Sequence, residues 1–219
     1  MNHIQPLLIY PAGHGKTLVP VQPIQDVLAE GQRWYSAWLS DWVVDGKSLW
    51  LDVKPLVVGY TALPISEFQA NMGLAVRSTI TGYLGMADTP DWLYMVLVRG
   101  SGAWAGTYTG QGNAGLSIGG DAIIEAICGL PRPYTMDIER PDWPEEYKTR
   151  NGQAGAFWHE VQHGLMMGKD SALWGPDADG NSYGHSKPGQ GLLSGEYALW
   201  PRCGLDPREA KIIIDLGWV

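Results

Sequence analysis

Two of the five histidines in this 219-residue chain, His159 and His163, stand four positions apart, with Glu160 directly after the first. On a helix, positions four apart lie one above the other on a single face. Two imidazoles placed in that way can hold one Zn²⁺ through their ring nitrogens. Glu160 then falls one position on, beside the coordination position left open to chemistry. A carboxylate there can take a proton from a water and pass it to a leaving amine. Ala156-Phe157-Trp158 before the pair and Gly164-Leu165-Met166-Met167 after it suit a helix that is packed on most of its circumference.

These residues match the H-E-x-x-H pattern found in helices of zinc metalloproteases. The elements that must position them can be read from the rest of the chain. Leu7 to Tyr10 predicts a short buried strand. Ile24 to Leu39 predicts an amphipathic helix with Ile24, Val27, Leu28, Tyr35, Trp38 and Leu39 on one side. Leu49 to Tyr60 is β-rich and broken at Pro55. Ser66 to Ile80 predicts a second helix, capped by Ser66, with Phe68, Met72, Ala75 and Val76 on its apolar face. Trp92 to Val98 predicts a central strand. The glycine-dense run from Gly100 to Gly120 ends in a strand, Ala114 to Ile118, followed by a helical turn at Ile123 to Ile127. Pro131 to Tyr147 predicts a surface loop. The histidine helix spans Gln153 to Met167, with Gly168 as its stop signal. Gly175 to Gly191 predicts a loop, and Pro207 to Leu216 a closing helix. The order describes one domain of α/β (α+β) class over residues 1–219. An N-terminal lobe, 1–168, carries a mixed twisted sheet and the histidine helix; a small irregular C-terminal lobe, 169–219, follows. A cleft between them suits an extended peptide laid against a sheet edge.

Bulk properties exclude other classes. A hydrophobic fraction of 45% with 17% charged residues is globular. A net charge of −8 argues against a nucleic-acid partner. No apolar stretch reaches the roughly 20 residues of a membrane span. Met1 to Pro6 lacks the basic and apolar regions of a signal peptide. Cys128 and Cys203 allow one disulfide or two buried thiols, and neither has a neighbour at metal-ligand spacing.

The layout resembles the metzincin clan of zinc peptidases, in particular its small bacterial secreted, snapalysin-like members. The resemblance runs through Gln32-Arg33-Trp34-Tyr35, Tyr94-Met95-Val96-Leu97-Val98, Gly115-Leu116-Ser117-Ile118, the histidine helix, Leu192-Leu193-Ser194-Gly195 and Leu205-Asp206-Pro207-Arg208-Glu209. It implies a zincin fold, secretion, a monomer, a peptide or protein substrate, and a turn passing beneath the metal. Leu193 stands where the family has Met. The family extends its motif to a glycine and a third ligand, His or Asp. Here Met166 occupies the glycine position and Lys169 the ligand position, with Gly168 and Asp170 beside them. The resemblance therefore implies Asp170 as third ligand after a loop one residue longer. His185 is the rival, imidazole being the better zinc donor, and Glu196 stands behind both. Tyr197 matches a family tyrosine that hydrogen-bonds the tetrahedral intermediate; otherwise it packs against Trp200.

Two other signals carry less. Gly13-His14-Gly15-Lys16-Thr17 mimics the end of a phosphate loop, but Tyr10 stands where its first glycine belongs, and Pro20 and Pro23 interrupt any following helix. Asp177-Ala178-Asp179-Gly180-Asn181 resembles a calcium loop, yet Ser182 and Pro188 replace its glycine and closing glutamate. A structural Ca²⁺ of other geometry stays open. The expected function is a zinc-dependent endopeptidase with Glu160 as general base. The alternative is a metal-holding binding module on the same fold that does not turn over peptides.

Overall fold

A mixed five-stranded sheet organises the molecule. In the computed structural model, which describes residues 2–41, 49–108, 115–175, 185–186, 191–194 and 196–219, the strands are β1 (His3–Ala12), β2 (Val57–Pro64), β3 (Trp92–Val98), β4 (Ala105–Tyr108) and β5 (Gly115–Gly119). Their order in space is β2-β1-β3-β5-β4. The first four in that order run parallel, and β4 lies antiparallel to β5 at one edge.

The central strands β1 and β3 are covered on both faces, which is why both read as continuous apolar runs rather than alternating ones. Side chains still divide by parity. Ile4, Leu8, Leu93, Met95 and Leu97 join one apolar cluster; Leu7, Ile9, Tyr94, Val96 and Val98 join the other. The second cluster is closed by α2 (Ile65–Ala70) and α3 (Met72–Ser78) through Phe68, Met72, Ala75 and Val76. The single helix expected at Ser66 to Ile80 is thus two, starting earlier than Ser66. Asn71 breaks it with non-helical dihedrals, and its side chain caps α3 by accepting the Leu74 N–H at 3.1 Å. A π-helical turn, Thr79–Tyr83, ends the run.

The first cluster is the larger. Into it α1 (Gln22–Ser40) delivers Ile24, Val27, Leu28, Trp34, Tyr35 and Leu39. The helices α4 (Asp121–Ile127) and α6 (Arg150–Met166) join it too, as does α8 (Pro207–Asp215). Thr149 caps α6 by accepting the Gly152 N–H at 3.1 Å. Two glycines permit the close packing around α6. A Cβ on Gly31 would lie 1.9 Å from the Trp158 ring, and one on Gly155 would lie 1.9 Å from the Tyr197 carbonyl oxygen. The C-terminal segment is not separately cored. Its Leu192, Leu193, Trp200, Leu205, Ala210, Ile213 and Trp218 share the cluster of Leu8, Tyr35 and Trp158.

Several elements differ from expectation. β1 starts at His3 and passes through Pro6. Ile4 turns its amide and carbonyl toward Asp52 and Lys54, so Pro6, two residues on, faces the same side, where β2 pairing has not yet begun. The missing N–H therefore costs no ladder bond. β4 lies inside the glycine run, where none is expected. The expected loop at Pro131 to Tyr147 contains α5 (Thr135–Glu139), started by reciprocal capping between Tyr134 and Asp137, and a 3₁₀ turn, Glu145–Lys148. Cys128 and Cys203 are not joined in a disulfide.

Candidate metal centre

The helix α6 places His159 and His163 one turn apart, both buried, with ring centroids 4.8 Å apart. Their Nε2 atoms face each other at 3.2 Å. The other ring nitrogen of each is held from behind. His159 Nδ1 meets the Leu192 carbonyl at 2.8 Å, and His163 Nδ1 meets the Asp170 carboxylate. A carbonyl and an ionised carboxylate can only accept, so each Nδ1 is a donor and the two Nε2 atoms are left facing each other. Burial, then His163, holds the His159 imidazole well below its ordinary pKa, keeping it neutral.

His185 completes the group. Its ring stacks on His159 at 5.2 Å and 17°, and meets His163 edge-on at 5.2 Å. One nitrogen from each of His159, His163 and His185 lies within 4.8 Å of the others. Asp170 is not in that group. The helix α6 ends at Met166, Met167 and Gly168 both adopt left-handed conformations, and the chain restarts at once as α7 (Lys169–Trp174). This double turn brings Asp170 behind His163, onto the nitrogen pointing away from His159. Asp170, the expected third ligand, thus backs His163 rather than joining the three nitrogens. Its Oδ1 is buried and has no hydrogen-bond partner among the described residues. The Asp177–Asn181 run and the Glu196 side chain lie outside the described residues.

Glu160 sits on the adjacent face of α6, lining the same cleft as His159, His185 and Tyr197. Burial raises its pKa, against the opposing effects of His163 and a hydrogen bond from Thr107. Thr107 Oγ1 lies 2.6 Å from the Glu160 carbonyl and 2.9 Å from its Oε2. A hydroxyl has one proton. When Glu160 is protonated it donates to Thr107, and Thr107 donates to the carbonyl; when it is ionised, Thr107 serves one acceptor at a time. Ser117 donates to the same carbonyl at 2.8 Å. Tyr197 stands 5.1 Å from the His159 ring and edge-on to Tyr147 at 5.3 Å. Burial pushes its hydroxyl up to about 12, so it is a donor at neutral pH.

Sequence reading missed Thr107, Ser117 and the Leu192 carbonyl. Thr107 and Ser117 lie on paired residues of β4 and β5, a pairing between segments that no local pattern links to the histidine helix. The phosphate-like loop is committed elsewhere. Lys16 reaches Glu125 and Thr135 with its ammonium, both at 3.4 Å, and its amide donates to His14 Nδ1 at 3.1 Å.

Behind α6, Gln162 is fully buried between Tyr35 at 3.1 Å and Glu209 at 2.5 Å, and Glu209 also accepts from Trp174 at 3.0 Å. Burial raises the Glu209 carboxyl to about 7. Its folded-state pKa exceeds the unfolded one, so the folded protein binds the extra proton between about pH 4.5 and 7. Stability therefore falls as pH rises through that window, by about 3 kcal/mol in total for this group. Glu209→Gln should flatten this loss: the difference in unfolding free energy between pH 5 and pH 8, measured by urea titration, should shrink relative to wild type. An unchanged difference would exclude Glu209 as a proton-binding site in this range.

No known family profile matches the chain, and no curated protein matches it. Among solved structures it is similar to wild-type OgpA from Akkermansia muciniphila, with a TM-score of 0.51 at 14% identity over 95% of this chain and 59% of that one. The chain thus spans about three fifths of that protein's length, and the likeness shows the fold alone. Among the described residues no helix is long and apolar enough to cross a membrane.

Proposed function

We propose that this chain is a zinc-dependent peptide hydrolase of metzincin-like type, with His159, His163 and His185 as the metal ligands and Glu160 as general base. One observation carries the reading: two Nε2 atoms held 3.2 Å apart with a third imidazole beside them. Facing lone pairs repel unless a cation lies between them. A shared proton can serve two nitrogens, but a metal ion serves three. Zn–N bonds of about 2.0–2.1 Å at tetrahedral angles separate ligand nitrogens by about 3.3 Å, close to the 3.2 Å between the His159 and His163 Nε2 atoms. Three neutral imidazoles are also the donor set that zinc prefers over the oxygen-seeking Mg²⁺ and Ca²⁺.

Zinc bound there would polarise a peptide carbonyl and acidify a water. The residues around it have complementary tasks. Leu192 and Asp170 fix the two imidazole tautomers and ring orientations. Glu160, half-buried on the cleft wall and with a raised pKa, removes the proton from the attacking water and returns it to the leaving nitrogen. Thr107 aims its carboxylate. Tyr197 supports the reading as a hydroxyl donor on the cleft wall, suited to the oxyanion that develops. The exposed edge of β4 suits an extended peptide held by main-chain pairing.

Protein purified without added metal and then titrated with Zn²⁺ should bind one equivalent tightly, measured by elemental analysis after desalting. Less than about 0.2 equivalents, with no uptake, would remove the basis of the reading.

A further inference from the structure

The cleft that holds the histidines has a volume of about 860 Å³ and extends well past them along α6. Gln153, Ala156, His159 and Glu160 form its floor. Gln153 is six residues from His159, about 9 Å along a helix. There the Gln153 side chain donates to the Tyr147 carbonyl at 2.6 Å, and the Tyr147 ring meets Trp143 at 5.9 Å. Trp143, Met136 and Arg140 line this distal part of the cleft. Arg140 caps the C-terminus of α5, and its carbonyl accepts the Trp143 backbone N–H at 3.2 Å; both side chains line the cleft.

Arg140 differs from the other cations nearby. Arg132 pairs with Asp137 and Glu145 at 3.4 and 3.0 Å. Lys148 pairs with Glu145 at 3.1 Å, Arg150 with Glu30 at 2.9 Å, and Lys16 with Glu125 at 3.4 Å. The carboxylate adjacent in sequence, Glu139, accepts the Ala103 N–H at 2.9 Å. Arg140 is exposed and has no carboxylate within ion-pair distance among the described residues. Among the described residues that line the cleft, Glu160 is the only carboxyl group and Arg140 the only guanidinium. In a chain of net charge −8, a guanidinium lining the cleft without a carboxylate partner is suited to an anion.

We propose that Arg140 binds a carboxylate of the substrate, so that the cleft selects peptides bearing an acidic group within a few residues of the bond cleaved. The carboxylate is an Asp or Glu side chain, or the peptide's own C-terminus. The inference rests on the peptide-hydrolase reading.

The test is hydrolysis of matched peptides by the zinc-loaded full chain. One set walks Asp against Asn through the second to fourth positions on each side of the cleaved bond. Another compares free C-terminal acids with amides. Wild type should favour one acidic peptide over its neutral partner about 10-fold in kcat/KM, the low end for a charge-assisted pair partly screened by water. That ratio should fall to about 1 in Arg140→Gln and be intermediate in Arg140→Lys. A wild-type ratio of 1 at every position, or a preference that survives Arg140→Gln, overturns the proposal. Affinities of the same peptides for zinc-loaded Glu160→Gln, read by tryptophan fluorescence, should show the same ratio and the same loss with Arg140→Gln added. If wild type cleaves nothing, the hydrolase reading fails while this binding ratio still decides the role of Arg140. A preference confined to the Asp set names a side chain as the source, and one confined to the acid–amide set names the C-terminus.

Discussion

Glu160→Gln should lower peptide hydrolysis by roughly 10²-fold or more while the protein keeps its full equivalent of zinc. The size of the effect follows from the loss of a general base at a site where water must be deprotonated. Gln is close in shape, so it keeps a side-chain contact to Thr107, which lies 2.9 Å from Oε2 in the wild type. The proposed ligands His159 and His163 are held by Leu192 and Asp170, and Glu160 is bound instead by Thr107. Folding and zinc content should therefore match wild type, and kcat should carry most of the loss. A variant of full activity would assign the base elsewhere. One that loses zinc along with activity would make Glu160 part of the metal-holding set.

The second large effect is expected at the third ligand. His185→Ala should remove stoichiometric zinc binding, since two imidazoles on one helix turn leave the ion half-coordinated. Asp170→Ala should weaken binding by about 10- to 100-fold, the range for a group that orients a ligand without touching the metal. Its carboxylate lies on His163 Nδ1, away from the meeting point of the Nε2 atoms. Competition with a chelator, run on both variants side by side, separates the cases. Should Asp170→Ala release the metal and His185→Ala retain it, the three-imidazole site would be wrong and the carboxylate would be the ligand.

The sequence by itself determined the local parts of this protein. His159, Glu160 and His163 were legible because helical geometry fixes the relation of residues four apart wherever the helix sits. The cores of β1, β3, α1, α6 and α8 were legible from apolar periodicity, since burial of one stripe or of a whole strand leaves a direct trace in residue order. Short elements left none. β4 has four residues within a glycine-rich run, and α5 and α7 have five and six; such lengths hold too few residues to show a period.

Tertiary structure decided what lies far apart in the chain. Thr107 reaches Glu160 across 53 residues, and Leu192 reaches His159 across 33. No spacing rule foretells such meetings. The case of Asp170 and His185 is sharper. Both were named from sequence, and Asp170 was preferred because it closely follows the helix stop. Whether a residue just past a helix end returns to the metal depends on the dihedrals of the turn. Here Met167 and Gly168 both take left-handed values, and α7 begins immediately, so the carboxylate arrives behind His163. That leaves the nitrogen face of the pair to a histidine twenty-two positions beyond His163, brought there by the path of the chain rather than by any local pattern.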